Sequence, residues 1–209
     1  MGQSMSIIHK AYLFAYNAFK EELASLLYKA LWYNDLEQLH QFIQQYRYDL
    51  TNLYTWEPLA EDWVEHLGDS QDVQWYADIA LTKYYDLVAG EMGLGYGFDA
   101  LGVYLQSLPQ MNGKADLLIC GSPFGPPDNR LDPGRMGTGL LNPTQVEQFH
   151  RFLEEFSWPV ISKLEADLYE ECLYKPESVE DITDALTQLK QLYKKASEKQ
   201  MGVLFTDFT

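Results

Sequence analysis

Two Glu-x-x-His pairs are the residues of this chain whose types and spacing come closest to a known chemistry. They are Glu37 with His40 and Glu147 with His150, each on a predicted helix. A spacing of three places both side chains on one helix face, and ferritin-like bundles combine two such pairs with two further glutamates to hold a di-iron centre. Glu22 and Glu61 could supply those glutamates.

A di-iron helical carboxylate protein is therefore one alternative for this chain. However, a predicted strand and a segment rich in proline and glycine separate the two pairs. Glutamate is also abundant, so such pairs arise readily by chance. Surface or capping roles are favoured for all four residues, and we expect no bound transition metal and no cofactor.

A second set of candidates lies in the proline- and glycine-rich segment 109–143. A long loop without structure is uncommon in a compact domain, so this segment indicates an ordered loop. The loop either covers a sheet edge or forms a binding surface. Arginine and aromatic side chains on a loop stiffened by proline suit recognition, because less entropy is lost on binding. The expected binding residues, with one from a preceding glycine-rich turn, are Tyr96, Phe124, Asp128, Arg130 and Arg135.

Three further motifs indicate structure rather than catalysis. The run from Gly93 to Gly97 lacks both the spacing and the preceding strand of a dinucleotide-binding fingerprint. Ser122 follows Gly121 directly, which is not the spacing of a nucleophile elbow. Cys120 is expected to be a buried strand thiol, since no basic residue lies near it in sequence. An enzyme of unrecognised type, with a pocket near Gly121, stays open as an alternative.

Charge is the most distinctive bulk property. The net charge is −16, and segments 57–78 and 154–184 contribute −7 and −8 of it. This disfavours direct binding to nucleic acid or to an anionic membrane. The acidic segments indicate either solvated helix faces that keep the protein soluble or a surface for a basic protein partner. The acidic surface that would meet this partner is expected to include Glu61, Glu65, Glu170 and Glu171.

Cysteine usage and hydropathy suggest a compartment. The two cysteines, Cys120 and Cys172, are too few for a disulfide framework, and reduced thiols are typical of the cytoplasm. The sequence has no run of 18 apolar residues, so it predicts no membrane span. We therefore expect a cytoplasmic protein.

Most of the chain has helical periodicity. The first predicted helix begins at Ile8 and runs to Ala30, with apolar residues at steps of three and four. The next helices are predicted to start after an Asn34 cap, at Pro58, at Ser70, at Phe98, after an Asn142 cap at Pro143, and near Val179.

Two short apolar runs predict strands, Leu117–Cys120 and Val203–Phe205. Isolated strands need partners for their backbone groups, so we expect these two to share one sheet. The predicted fold is α+β, a mostly helical body with a small, largely antiparallel sheet. It forms a single domain, 1–209, with a helical half, 1–108, and a second half, 109–209, that holds the strands, the loop and further helices.

Short motifs from about Phe98 onward occur in a recognisable order. They are Phe98-Asp99-Ala100-Leu101, Leu117-Leu118-Ile119 before Gly121, Leu140-Leu141-Asn142-Pro143, Tyr174-Lys175-Pro176 and Gly202-Val203-Leu204. In this order they resemble the YfbM-like family of uncharacterised bacterial proteins. The resemblance implies an α+β fold and no catalytic residue, because that family has no established activity.

The acidity and the lack of a catalytic set favour one function. We expect a non-enzymatic protein-interaction module, of the immunity or antitoxin type, that binds a basic partner.

Overall fold

The structure is a computed structural model and describes residues 8–52, 57–63, 73–86, 92–93, 97–124, 139–156 and 179–208. Four strands and eight α-helices lie in these ranges. The strands are β1 (Ile8–Phe14), β2 (Met92–Gly93), β3 (Leu140–Leu141) and β4 (Gly202–Phe208). The helices are α1 (Tyr16–Glu22), α2 (Ala24–Tyr33), α3 (Glu37–Tyr46), α4 (Val73–Leu81), α5 (Gly97–Ser107), α6 (Ala115–Cys120), α7 (Pro143–Glu155) and α8 (Val179–Glu198). The predicted α+β fold is confirmed.

The four strands form one antiparallel sheet in the order β2-β1-β4-β3. Strands β1 and β4 pair along their whole lengths, from Ile8 opposite Phe208 to Phe14 opposite Gly202. The two outer strands add only two residues each, so β1 and β4 are the centre of the sheet.

Both faces of the sheet are buried at residues 11–14 of β1 and 202–206 of β4, because successive strand residues point to opposite sides. Ala11, Leu13, Val203 and Phe205 face one hydrophobic cluster, and Tyr12, Phe14 and Leu204 face another. Helices α5–α8 contribute to the first cluster and α1–α4 to the second. The sheet therefore separates two helical layers.

The prediction of a first helix beginning at Ile8 was wrong, since residues 8–14 are strand β1. A strand with two buried faces is apolar without alternation, so it lacks the period of two that marks a half-exposed strand. Apolar residues recur at steps of three and four in the helices that follow residue 15. By chance, the same spacing continues back through Ala15 into the strand. From Phe19 to Ala30 the predicted helical pattern is confirmed, but it covers two helices, α1 and α2, that meet at Leu23.

The predicted strand Leu117–Cys120 was also wrong, because these residues lie in helix α6. Four apolar residues do not distinguish a buried strand from a buried helical turn. Ala115, Leu118 and Ile119 are buried at the helical spacing of three and four, and the buried Tyr193 hydroxyl donates to the Leu118 carbonyl. The terminal strand was predicted correctly, but its partners are β1 and β3 rather than residues 117–120.

Two predicted helix starts need correction. Asn34 ends α2 in the left-handed conformation, with φ of 54°, instead of capping the next helix. The Asp35 side chain accepts from the Glu37 amide at 3.3 Å, where α3 begins. Pro58 is not helical either, because it forms an antiparallel bridge with Thr51.

Other predicted elements are confirmed or shortened. Asn142 caps α7 in a reciprocal pair of hydrogen bonds with Gln145, each 2.9 Å. The helices predicted near Phe98 and Val179 are present as α5 and α8. The helix predicted to run to about Gly90 stops at Leu81, and its predicted start at Ser70 lies outside the described residues. None of the helices in the described ranges has both the length and the hydrophobicity that a membrane span requires.

The contact between α5 and α8 leads to a stability prediction. A Cβ atom on Gly97 would lie 2.1 Å from the Asp181 carbonyl oxygen, whereas one on Gly102 would meet only the terminal Cδ1 of Ile119, at 2.6 Å. Gly97→Ala should therefore destabilise the protein by about 1–3 kcal/mol, since the backbone of α8 must shift. Gly102→Ala should cost less, because a side-chain end can rotate away and alanine gains up to ~1 kcal/mol of helix propensity. Urea unfolding of both variants measures the difference, and equal or reversed losses would contradict this packing.

Candidate functional site

The structure describes one of the five predicted binding residues. Phe124 is half-buried, and its ring lies 5.8 Å from that of Phe19 on α1. It packs against the cluster on the α1–α4 side of the sheet. The other four, Tyr96, Asp128, Arg130 and Arg135, lie outside the described residues.

The base of the proline- and glycine-rich loop is closed by backbone contacts. The Ser122 amide donates to the Leu140 carbonyl at 2.9 Å, and the Leu140 amide donates to Ser122 at 2.8 Å. Gly121 has φ of 70°, and a Cβ there would lie 2.7 Å from the Gly139 carbonyl carbon. Only glycine fits this close approach, so the space beside Gly121 is filled by the chain's own backbone.

The two Glu-x-x-His pairs do not form one site. Helix α3 packs on one side of the sheet and α7 on the other. Among the described residues, no group of three or more His, Cys, Asp or Glu side chains is placed to hold a metal ion. The supposed extra ligands have other contacts, with Glu22 paired to Lys83 and Glu61 to Arg47 at 3.0 Å.

Of the predicted acidic surface, Glu61 is described and its side chain is exposed. Glu65, Glu170 and Glu171 lie outside the described residues.

His40 instead belongs to an aromatic contact between α3 and α4. Its ring centroid lies 4.3 Å from that of Tyr76 and 6.2 Å from that of Trp63. Its Nε2 atom is buried and has no hydrogen-bond partner among the described side chains and backbone. Burial lowers the pKa of His40 below its usual 6.5, because the charged ring would lose hydration there.

A polar cleft of about 680 Å³ opens between the start of α7 and the end of α8. Its lining includes Asn17, Thr144, Gln148 and Gln200. On its wall Glu147 accepts from the Ser197 hydroxyl and from Arg151 Nε, the latter at 2.7 Å. These hydrogen bonds, that of Ser197 above all, lower the pKa of Glu147 and keep it ionised. The lining therefore offers charged groups and hydrogen-bonding groups to a ligand.

Three large aromatic residues on helix α2 face solvent. Tyr28, Trp32 and Tyr33 are 43%, 40% and 70% exposed. The rings of Tyr28 and Trp32 stack, with centroids 4.2 Å apart and an interplanar angle of 17°. Tyr33 meets Tyr28 edge-on at 6.1 Å. We call these three residues the α2 aromatic cluster.

The sequence of α2 explains why these rings point outward. Leu27, Ala30 and Leu31 are the buried residues of the helix, at the spacing that faces the core. Tyr28 and Trp32 are four residues apart on an adjoining face, so they can stack along it. After Tyr33 the left-handed Asn34 ends the helix.

A groove runs beside this helix along α3. It has a volume of about 370 Å³, and we call it the α3 groove. Its lining residues are Glu22, Leu26, Gln38, Gln41, Phe42, Gln45 and Tyr46.

At one side of the α3 groove the Lys83 ammonium group lies among aromatic rings. It is 3.7 Å from the Tyr46 ring centroid, 5.3 Å from that of Tyr84 and 5.5 Å from that of Phe42. Its Nζ also donates to the Glu22 carboxylate. We call Glu22, Phe42, Tyr46 and Tyr84 the lysine box.

Charge and burial set the ionisation of this box. The hydrogen bond from Lys83 lowers the pKa of Glu22, so the carboxylate is ionised near neutral pH. Burial, with the nearby Glu22 charge, raises the pKa of Tyr84, so its hydroxyl stays neutral and donates to Glu22 at 3.2 Å. The box therefore presents one negative charge and three ring faces to a single cation, the arrangement that binds an ammonium group.

Sequence reasoning identified neither the α2 aromatic cluster nor the lysine box. A signal for the cluster was present, since Tyr28 and Trp32 fall off the apolar stripe of their helix. The box had no local signal, because Lys83 is 61 residues from Glu22 in the chain.

The buried His40 predicts a pH dependence of stability. Its folded pKa lies below the unfolded value of 6.5, so its stabilising contribution is complete above pH 6.5 and is lost as the pH falls below that value. His40→Phe keeps a ring against Tyr76 and removes the titrating group. When the pH is lowered from 7.5 to 5.5, the free energy of unfolding should fall more for the wild type than for this variant. Equal falls would show that His40 does not resist protonation.

The chain was compared with models of known protein families, with curated protein sequences and with solved structures. None of the three comparisons finds a match. The resemblance to the YfbM-like family therefore stays a prediction.

Proposed function

We propose that this protein is a non-enzymatic binding module that takes a basic segment of a partner protein on the α2 aromatic cluster. The observation that carries the proposal is the stacked pair of Tyr28 and Trp32, which stays substantially exposed together with Tyr33. Tryptophan and tyrosine are the residues most enriched at the energetic centres of protein interfaces.

The geometry of the cluster suits binding. Because Tyr28 and Trp32 already stack on each other, their rotamers are restricted before a partner arrives, and less side-chain entropy is lost on association. Burying their remaining exposed surface gains hydrophobic free energy at ~25 cal/mol per Å² of apolar area.

Charge selects the kind of partner. A net charge of −16 repels a second copy of this chain and attracts a basic protein over a distance that salt limits to ~8 Å at physiological ionic strength. Arginine and lysine side chains also pack favourably on exposed tryptophan and tyrosine rings. A basic segment is thus attracted by the net negative charge at long range and packs on the aromatic rings at short range. A binding module for a basic partner would fit a protein of the immunity or antitoxin type.

The proposal is tested with synthetic peptides rich in arginine and lysine, and with neutral peptides of the same length as the reference. We expect the basic peptides to bind more tightly, with an affinity that falls as salt is added. Trp32→Ala and Tyr28→Ala should each weaken this binding by about tenfold or more, since a residue at the centre of an interface is worth over ~1.4 kcal/mol. Isothermal titration calorimetry measures these affinities.

Tyr48→Ala is the matched control, because Tyr48 is 84% exposed but does not belong to the α2 aromatic cluster. It should leave the affinity unchanged. Equal binding of basic and neutral peptides would overturn the proposal, as would equal losses in all three variants.

A further inference from the structure

We infer that the α3 groove receives an extended, lysine-bearing segment of the partner, whose ammonium group replaces that of Lys83 in the lysine box. This inference rests on the proposed function for the basic character of the partner. It adds a second binding site and a mode of recognition.

The lysine box already shows which chemistry it accepts. Three rings and one carboxylate surround the Lys83 ammonium, and the side chain is only 16% exposed. A lysine from another chain would present the same group to the same four residues. Exchange therefore keeps a cation beside the Glu22 carboxylate, so this ion pair is retained.

The α3 groove leads to this box, because Glu22, Phe42 and Tyr46 belong to both. The rest of the groove is largely amide. Gln38, Gln41 and Gln45 lie at spacings of three and four, so they form one row along α3. Each glutamine amide offers both a donor and an acceptor, which matches the N–H and C=O groups of an extended peptide backbone.

The groove is also continuous with the α2 aromatic cluster. Lys29 donates to Gln38 at 3.0 Å and thereby joins α2 to the groove wall. Trp32 and Tyr33 follow Lys29 by three and four residues, so they share its side of the helix. A peptide lying on the cluster can therefore pass over this hydrogen bond into the groove.

The direct test removes the ammonium group of Lys83 from the lysine box. In Lys83→Ala the box lacks its cation, and the probe is the blocked tripeptide acetyl-Gly-Lys-Gly-amide, with norleucine in place of lysine as the control. We expect the lysine tripeptide to raise the melting temperature of Lys83→Ala by several degrees at saturation, because a ligand that binds only the folded state stabilises it. The norleucine tripeptide should not do so, and adding Glu22→Gln should abolish the rise.

Equal effects of the two tripeptides on Lys83→Ala, or no effect of either, would overturn the exchange. If this variant does not fold, Tyr46→Leu replaces it in a measurement of lysine-peptide affinity, with Tyr46→Phe as the variant that keeps the ring. Loss of affinity in Tyr46→Leu alone supports the box, and equal affinities overturn it.

A second measurement separates this inference from the proposed function. Gln41→Ala with Gln45→Ala should lower the affinity of lysine-rich peptides for the otherwise unchanged protein severalfold, whereas Gln191→Ala, at an exposed position on α8, should not. If Trp32→Ala weakens binding and the groove variants do not, the proposed function stands and the groove is not used. If no basic peptide binds, the proposed function fails, and the tripeptide experiment alone decides whether the box accepts a foreign lysine.

Discussion

The pairing of β1 with β4 is the constraint on which the rest of this structure depends. It joins residues 8–14 to residues 202–208 along seven antiparallel positions, so nearly the whole described chain lies within the loop that the pairing closes. Tyr12, Leu13, Phe14, Val203 and Leu204 are almost fully buried between two helical layers. Without this ladder, neither layer has a surface against which to bury its apolar face.

The sheet also determines what can form a site. Because α3 and α7 lie on opposite sides, the residues that suggested a shared metal centre are kept apart. The same arrangement gathers α1–α4 on one side, where Glu22, Tyr46 and Lys83 come from three separate segments. The α2 aromatic cluster and the lysine box are therefore features of a single helical layer, as the proposed binding of one extended partner to both requires.

Much of the helical part of this fold could be predicted from sequence. Helices α5, α7 and α8 bury one face, so their period of 3.6 is visible, and Asn142 marks the start of α7 by ordinary capping chemistry. Strand β1 could not be read in this way, because both of its faces are buried. At residues 117–120 a helix was wrongly predicted to be a strand, since a short buried helix appears in the sequence only as a short apolar run.

The candidate site was harder to predict than the fold. Pairing of β4 with β1 is a contact between the ends of the chain, and local patterns carry no information about such partners. The lysine box likewise depends on contacts between residues that are far apart in the sequence. Tyr28 and Trp32 did carry a local signal. However, tyrosine and tryptophan occur at both buried and exposed positions, so only their position relative to the buried Leu27 and Leu31 indicates that these two are exposed.

Native-state hydrogen exchange tests the central role of the β1–β4 pairing most directly. The hydrogen-bonded amides of these two strands should exchange only through global unfolding, with the same free energy that urea unfolding gives for the whole protein. The amides of α2 and α8, one from each layer, should exchange at that free energy or below it. If the strand amides exchanged at a clearly lower free energy while either helix stayed protected, the layers would be stable without the sheet, and the account would be contradicted.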